Sequence, residues 1–314
     1  MRRLVILNPT ARRASRHRGL LEELAAEPET ELRETTGPGD ASTLARRARA
    51  EGVAELVSAG GDGTLNEVVN GLAPFGRERD GTGSVPAVGL LPLGTGNDTA
   101  RSLGVPLDPE AAREVLDEGS TRTVDVGRVR GSRERHFVNS AVAGVGGLVE
   151  RRLPAGLKRW LGSYSYRVAA VAALRHIPRY RITAECDEGR ETLRSVAYSV
   201  IVANGSHAGG GVPVAPGARV DDGLLDLVVV ECGPARKMPG LVWSVLRGEH
   251  PGRDDVRRVR VESVSIRARP PIWVSLDGEV LGDEAFRADV VPDALRVLTP
   301  RVDERNGDGR NREE

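Results

Sequence analysis

Two segments of this chain run in the order strand, glycine-rich turn, helix, and they constrain its fold more than any other feature. In the first, a short run around Leu56 and Val57 leads into Gly60-Gly61-Asp62-Gly63-Thr64, and apolar residues then recur at helical spacing. In the second, the apolar run 87–91 leads into Gly94-Thr95-Gly96-Asn97-Asp98. Strands that alternate with helices in this way predict a parallel sheet with helices on both faces.

Both turns have the composition of a phosphate site. Glycine lets bare backbone approach a ligand, and the N–H groups at a helix start favour anions. Each turn also carries an acid, Asp62 or Asp98, which would repel a phosphate unless a metal ion or a hydroxyl lay between them. Ligands of open α/β sheets bind beyond the carboxyl ends of the strands, so both turns are expected in one crevice. A polyphosphate, Mg²⁺ and a hydroxyl would meet there; two ordinary turns with helix caps are the structural alternative.

Missing motifs and composition argue against several other classes. No P-loop string G-x-x-x-x-G-K-[ST] occurs, and neither turn fits G-x-G-x-x-G. A formal net charge of +0 and an aromatic content of 3% argue against nucleic-acid binding. The two cysteines form no CxxC pair, and reduced thiols fit a cytoplasmic protein. Because no apolar stretch approaches the ~20 residues of a membrane span, any membrane contact is expected to be peripheral.

The second half of the chain has a different pattern. From Val124 onward, many short apolar runs alternate with turn residues, which predicts a β-sandwich-like domain. We therefore expect an α/β fold with a doubly wound, three-layer nucleotide-binding domain at 1–123 and a β-rich substrate domain at 124–292. Residues 293–300 are expected to return to the first domain, and the charged residues 301–314 to form a disordered tail. The active site would lie in the cleft between the domains.

Two acidic turns of the second half are candidates for further chemistry. Asp221-Asp222-Gly223 enters a strand, where acids beside a glycine suit a hard cation, although Asp-Gly is also a common hairpin turn. Asp277-Gly278-Glu279 ends another strand, and its two acids share one side if the chain is extended. One would act as a general base while the other orients it or binds metal; a surface hairpin is the alternative. Near the first strand, Arg12 and Arg13 either reach a phosphate or stay solvated.

Taken together, these strings resemble the diacylglycerol kinase catalytic-domain family, which includes bacterial soluble diacylglycerol kinases, related bacterial lipid kinases and sphingosine kinases. The likeness runs, in the family's order, through Asn8-Pro9, Gly60-Gly61-Asp62-Gly63-Thr64, Gly94-Thr95-Gly96-Asn97-Asp98, Asp221-Asp222-Gly223 and Asp277-Gly278-Glu279. The first glycine string alone is shared with NAD kinases, whereas its combination with the others is more specific. The family's fold joins a nucleotide-binding α/β domain to a β-rich domain, with the active site between them, in agreement with the pattern above.

The resemblance implies roles for the acids and for the first glycine turn. Glu279 would be the general base for a lipid hydroxyl. Asp62, Asp98 and Asp277 would form a carboxylate–water–Mg²⁺ network near the transferred phosphate. The residues expected to contact ATP are Asn8, Pro9, Thr10, Arg13, Thr35, Gly61, Asp62, Gly63, Thr64, Leu65, Asn66, Glu67 and Thr95.

The resemblance also implies a second Mg²⁺ and a lipid contact. A structural Mg²⁺ would be held by Asp222 with the backbone carbonyls of Arg219 and Leu224, and Lys158 resembles a basic residue that contributes to membrane or substrate contact. The prediction is an ATP- and Mg²⁺-dependent lipid kinase with a diacylglycerol-like acceptor, in contact with a membrane surface and not with nucleic acid. A kinase with a soluble acceptor, of the NAD kinase type, and a non-catalytic nucleotide- or lipid-binding module are the alternatives. Exposed β edges leave pairing into a homodimer open.

Overall fold

The elements of the first half alternate between strands and helices as the sequence predicts. A computed structural model describes residues 2–75, 84–131, 134–144, 178–282 and 285–301. The elements of the first half are β1 (Arg3–Leu7), α1 (Arg18–Ala25), β2 (Thr30–Glu34), α2 (Asp40–Ala50), β3 (Glu55–Gly60), α3 (Asp62–Leu72), β4 (Ala87–Pro92), α4 (Asp98–Leu103) and α5 (Pro109–Glu118). The four strands pair in parallel in the order β2-β1-β3-β4.

This strand order fixes the sides on which the helices lie. The chain moves outward from β1 to β2, then back across to β3 and β4, so right-handed crossovers place α1 on one face and α2 and α3 on the other. Helices α2 and α3 pack closely against each other: a Cβ on Gly71 would overlap the backbone of Ser42. The parallel sheet with helices on both faces is therefore confirmed for this half.

The second half is built from antiparallel strands and one long return strand. Its elements are β5 (Ser120–Arg130), β6 (Glu134–Phe137), β7 (Ser140–Gly144), β8 (Tyr180–Cys186), β9 (Glu191–Ala203), β10 (Leu225–Glu231), α6 (Met238–Arg247), β11 (Val256–Val261), β12 (Ser263–Arg269), β13 (Val274–Leu276), β14 (Glu279–Gly282) and β15 (Phe286–Thr299). Strand β9 pairs with β7, β8 and β10, and β12 pairs with β8 and β15. The predicted β-rich second half is confirmed.

Strand β15 joins the two halves. Its first part pairs with β12, where Phe286 faces Ile266, and its last part reaches β4, where Val297 pairs in parallel with Val88. Leu295, Val297 and Leu298 are buried in the same apolar cluster as the strands of the first half. A second cluster fills the space between the antiparallel strands. The exact domain limits stay a prediction, and residues 302–314 lie outside the described part of the chain.

Some local predictions differ from the structure. The sequence also predicts Asp40 as the cap of the second helix, but Asp40 is the first residue of α2, and its carboxylate accepts hydrogen bonds from Thr36. The acceptor at this helix start is instead Glu67, which receives N–H groups of Gly39 and Ala41 at 2.9 and 3.1 Å. The sequence further predicts a helix over about 153–176, and this range lies outside the described residues.

Candidate active site

The two glycine turns lie side by side at the carboxyl ends of β3 and β4. These strands are parallel neighbours, and the N–H groups of Leu93 and Gly94 both donate to Gly60 O, at 2.8 and 3.1 Å. A Cβ on Gly61 would lie 3.2 Å from Gly94 Cα, so the contact leaves little room for a side chain. The two turns therefore lie next to each other, as the sequence predicts for turns that open into one crevice.

Asp62 and Asp98 face the same small space beside Gly96. A Cβ on Gly96 would lie 2.9 Å from Asp62 Oδ2 and 3.6 Å from Asp98 Oδ2. Burial raises the pKa of Asp98 to about 7, and the negative charge of Asp62 adds to the shift. Two carboxylates this close favour a shared proton or a cation between them. Asp62 Oδ1 accepts the N–H of Thr99 at 3.1 Å, whereas Asp62 Oδ2 receives no hydrogen bond from a described residue.

A glycine loop from the second half of the chain holds Asp98. The N–H of Gly210 donates to its Oδ2 at 2.8 Å, and that of Gly211 donates to its Oδ1 at 2.5 Å. The residues 209–211 have φ values of 63°, 82° and 94°, a conformation that side chains other than glycine rarely adopt. Both oxygens of Asp98 are therefore engaged by backbone of the other half.

Asp277 lies in the turn between β13 and β14 with a φ of 46°. Its Oδ2 accepts the N–H of Val138 at 2.8 Å and the Asn66 amide at 3.1 Å. Its Oδ1 accepts the N–H groups of Asn139 and Ser140, at 3.1 and 2.8 Å. Burial raises the pKa of Asp277 to about 6, against these four donors, which favour the ionised form. This carboxylate thus links β13 to both halves of the chain.

Glu279 begins β14 and reaches toward the start of α3. A Cβ on Gly63 would lie 3.8 Å from Glu279 Oε1, and no described residue donates a hydrogen bond to this carboxyl group. Withdrawal from water raises the pKa of Glu279, and the negative charges of Glu67 and Asp277 act in the same direction. Glu279 lies beside the first glycine turn, and no described residue donates a hydrogen bond to it. Its carboxylate is therefore free to accept a proton from a bound hydroxyl.

The segments after β1 and β2 end at the same edge of the sheet. Asn8 Oδ1 accepts the N–H and hydroxyl of Thr10, at 3.0 and 2.8 Å, while Asn8 Nδ2 donates to Thr64 Oγ1 at 3.3 Å. Pro9 and Thr10 are exposed. Thr35 directly follows β2, and its N–H donates to Leu7 O at 2.8 Å.

Several residues expected to contact ATP are engaged elsewhere. Arg13 Nη1 donates to Leu107 O at 2.7 Å, and the Glu67 carboxylate binds the start of α2. Leu65 is buried in the core, and Asn66 donates to His136 O and Asp277. The residues that face the crevice are the half-buried Gly61, Asp62 and Gly63 and the exposed Thr95.

The chain that carries these turns and acids matches two family models. Residues 2–129 match the diacylglycerol kinase catalytic domain, and residues 139–299 match the YegS C-terminal NAD kinase beta sandwich-like domain. The chain belongs to the diacylglycerol kinase family. The resemblance drawn from the sequence is confirmed.

Relatives of this family are similar over most of their length. "Probable lipid kinase YegS-like" from Chromohalobacter salexigens is 35% identical over 86% of this chain and 83% of its own. "Diacylglycerol kinase" from Staphylococcus saprophyticus is 31% identical over 94% of both chains. The fold is shared with a diacylglycerol kinase crystal structure from Bacillus anthracis, with a TM-score of 0.70 and 24% identity over 95% of this chain and 96% of that one. It is also shared with an NAD kinase from Archaeoglobus fulgidus, with a TM-score of 0.53 and 15% identity over 95% and 94% of the chains.

The turn expected to hold a structural Mg²⁺ is engaged by arginines. Asp222 forms an ion pair with Arg260 and accepts the N–H of Leu224 at 3.2 Å. Its neighbour Asp221 is paired with Arg122 at 2.6 Å and with Arg219 at 3.4 Å. Arg260 therefore engages one oxygen of the carboxylate that would hold the cation, and the Mg²⁺ site at this turn stays a prediction.

Two further residues differ from the others: one lies outside the described residues, and one is not predicted from the sequence. Lys158 lies outside the described residues. Arg101 is not predicted from the sequence: its guanidinium lies against Gly211, one helical turn from Asp98, and its buried Nε has no hydrogen-bond partner among the described residues. The run Gly209-Gly210-Gly211 was the available signal, because consecutive glycines mark a close backbone approach. Within the described ranges, no helix is both long and apolar enough to cross a bilayer.

Proposed function

We propose that this member of the diacylglycerol kinase family is an ATP- and Mg²⁺-dependent lipid kinase that phosphorylates the hydroxyl of a diacylglycerol-like lipid. The observation that supports it is the meeting of three features at one edge of the sheet. They are the paired glycine turns, the Asp62–Asp98 pair around Gly96, and a carboxyl group, Glu279, without an internal donor. Phosphoryl transfer needs positioning, charge neutralisation and a proton acceptor. The glycine turns would position the phosphates, the acid pair would hold the neutralising Mg²⁺, and Glu279 would accept the proton.

In this proposal the glycine turns bind ATP and Glu279 accepts the proton. The N–H groups of the first turn and the start of α3 would hold phosphate oxygens, as helix starts do. Asp62 Oδ2 is the carboxylate oxygen available for Mg²⁺, a cation that prefers oxygen ligands and retains water. When bound, Mg²⁺ would neutralise the charge of the phosphates. Glu279 would take the hydroxyl proton as the lipid oxygen attacks, and Arg101 offers a further cation beside Asp98.

The acceptor and the location of the protein belong to the same proposal. A diacylglycerol-like lipid is favoured over a soluble acceptor by the late acids at Asp277 and Glu279, which accompany the glycine string in the lipid branch of the family. The lipid would be met at a membrane surface by peripheral contact from the cytoplasm. Exposed β edges leave a homodimer open.

A phosphate-transfer screen tests this function. The protein is incubated with labelled ATP and Mg²⁺ and a panel of lipids in mixed micelles, with NAD as the soluble alternative. We expect a labelled lipid product, no labelled NAD, and loss of transfer in Asp62→Ala and Glu279→Ala while both variants stay folded. Transfer retained by Glu279→Ala would refute its role as the base. Binding of ATP without turnover on any acceptor would favour a non-catalytic module.

A further inference from the structure

One outer face of the second half carries four arginines in two neighbouring rows. Strands β9, β8 and β12 are neighbours, and cross-strand partners point to the same side of a sheet. The register places Val196, Arg181 and Arg269 in one row and Arg194, Thr183 and Arg267 in the next. On the opposite side of the same strands, Ile182, Ala184, Ala197 and Ile266 are buried in the core. We call Arg181, Arg194, Arg267, Arg269 and Val196 the arginine face.

Most charges of the arginine face have no acidic partner among the described residues. Arg181, Arg194 and Arg269 are exposed and form no ion pair with any residue in the described ranges. Arg267 alone has an acidic partner there, Glu185 at 3.2 Å. Since the chain as a whole has a net charge of +0, the accumulation is local.

Repulsion between two of these arginines lowers the stability of the protein when nothing is bound to the face. Arg181 and Arg269 are direct cross-strand partners, which places their Cα atoms roughly 4.5–5.5 Å apart. Like charges directly opposite each other on a sheet destabilise it. An anionic surface laid on this face would relieve the repulsion, whereas water alone only screens it.

The shape and composition of the face favour a lipid surface over nucleic acid. It is the face of a β-sheet, and the side chains in its two rows include no aromatic ring on which a base could stack. At its edge Val196 is 45% exposed, an apolar side chain among guanidinium groups. Arginines that bind head groups around a shallow apolar contact are the arrangement of a peripheral protein on anionic lipid.

The arginine face is close in sequence to the proposed catalytic base. Arg269 ends β12, and the chain then runs through Pro270 and β13 to Glu279, ten residues later. Even a fully extended segment of that length spans no more than about 36 Å. Val280, beside the base, is 43% exposed. The arginine face and the base therefore lie within that distance of each other.

We propose that the arginine face docks the protein on anionic lipid, and thereby brings the site to its acceptor. The proposal rests on the lipid kinase function proposed above. The contact is electrostatic, so it weakens as salt is raised, and it requires anionic rather than zwitterionic head groups.

Vesicle sedimentation with charge-removal variants tests the docking. The test variant carries Arg181→Ala, Arg194→Ala and Arg269→Ala. The control carries Arg16→Ala, Arg46→Ala and Arg47→Ala, which remove three exposed arginines of the first half that also lack ion pairs with described residues. Each protein is sedimented with vesicles of phosphatidylcholine, with or without phosphatidylglycerol.

We expect the wild type and the control to bind only the phosphatidylglycerol vesicles. The test variant should bind them about 100-fold more weakly, because each arginine near an anionic surface contributes about a fivefold gain. Replacing the same three arginines by lysine should restore binding. The test variant should fold, with an unchanged or slightly higher Tm, since repulsion has been removed. Equal binding by test and control variants, equal binding to both vesicle types, or tighter binding of duplex DNA would each overturn the proposal.

A second assay separates this docking from the function itself. Phosphate transfer to a short-chain diacylglycerol dispersed in non-ionic micelles needs no anionic surface, so the test variant should match the wild type there. If the wild type phosphorylates no lipid but binds vesicles through the arginines, the proposed function fails and the docking stands. If it phosphorylates lipid while the test variant still binds vesicles normally, the docking fails and the function stands.

Discussion

Replacing Asp277 by alanine should unfold part of the site rather than simply remove a catalytic charge. The carboxylate accepts four N–H donors, of which three are backbone groups of Val138, Asn139 and Ser140. These three residues are 2–3% exposed, so water does not readily replace the lost acceptor. A metal ligand in the same position would show the opposite behaviour: its loss would change Mg²⁺ dependence and leave stability intact.

The loss of stability in Asp277→Ala follows from the number of buried N–H donors that lose their acceptor. A buried donor left without a partner costs about 1–3 kcal/mol, so three backbone groups give roughly 3–6 kcal/mol if some water enters the space. For a chain of this size, 1 kcal/mol lowers the Tm by about 2 °C, which gives a fall of roughly 6 °C or more. This is a large part of the stability of an ordinary domain.

The assay compares thermal and urea unfolding of Asp277→Ala with that of Glu279→Ala. Glu279 lies in the same hairpin, and its carboxyl receives no hydrogen bond from a described residue, so its loss should leave the Tm within about 1 °C of the wild type. The Tm of Asp277→Asn should lie between those of Asp277→Ala and Glu279→Ala, because the amide keeps one acceptor oxygen. A Tm for Asp277→Ala equal to that of Glu279→Ala, with activity lost in both, would refute the reasoning and support a purely catalytic role.

Three other perturbations test separate parts of the structure. Arg260→Ala frees Asp222 from its ion pair, so added Mg²⁺ should raise the Tm of this variant more than that of the wild type; equal responses would contradict the competition. Glu67→Ala leaves the start of α2 without its acceptor and should cost about 1–2 kcal/mol in urea unfolding, whereas a role in ATP binding alone predicts no loss. The pKa of Glu279 is raised and a base acts when ionised, so kcat/KM should rise with pH through a pKa above 4.5; a flat profile would argue against this base.

The sequence predicted the strands that are buried and bounded by glycine, and it missed those at the edges. Strands β3 and β4 are buried along their whole length, so their apolar runs are plain in the sequence. Strand β2 lies at the end of the parallel sheet, and β11 pairs only with β10 among the described strands. Their exposed positions carry charged residues, such as Arg257 and Arg258. These charges interrupt the alternation of apolar and polar residues by which a short strand is recognised in a sequence.

The acids of the site were visible in the sequence, but their partners were not. A string such as Asp277-Gly278-Glu279 marks a turn with two carboxyl groups, and its local spacing says nothing about Asn139, which is 138 residues away and donates to the first of them. The same holds for Glu67, which lies one turn into α3 and binds the start of α2. Tertiary hydrogen bonds decide which acid is engaged by the fold and which is open to a ligand.

The partners of the acids connect the two halves in both directions. Asp98 belongs to the first half and is held by the N–H groups of Gly210 and Gly211, while Asp277 belongs to the second half and accepts the Asn66 amide of the first. Separating the halves would break both backbone hydrogen bonds to Asp98 and the single one from Asn66 to Asp277, so contact between the halves contributes to how each carboxylate is held. The groups left open to reacting species are then Asp62, through its Oδ2, and Glu279. In the proposed reaction, Asp62 would serve the cation and Glu279 the proton, which are two of the recurring parts of phosphoryl transfer.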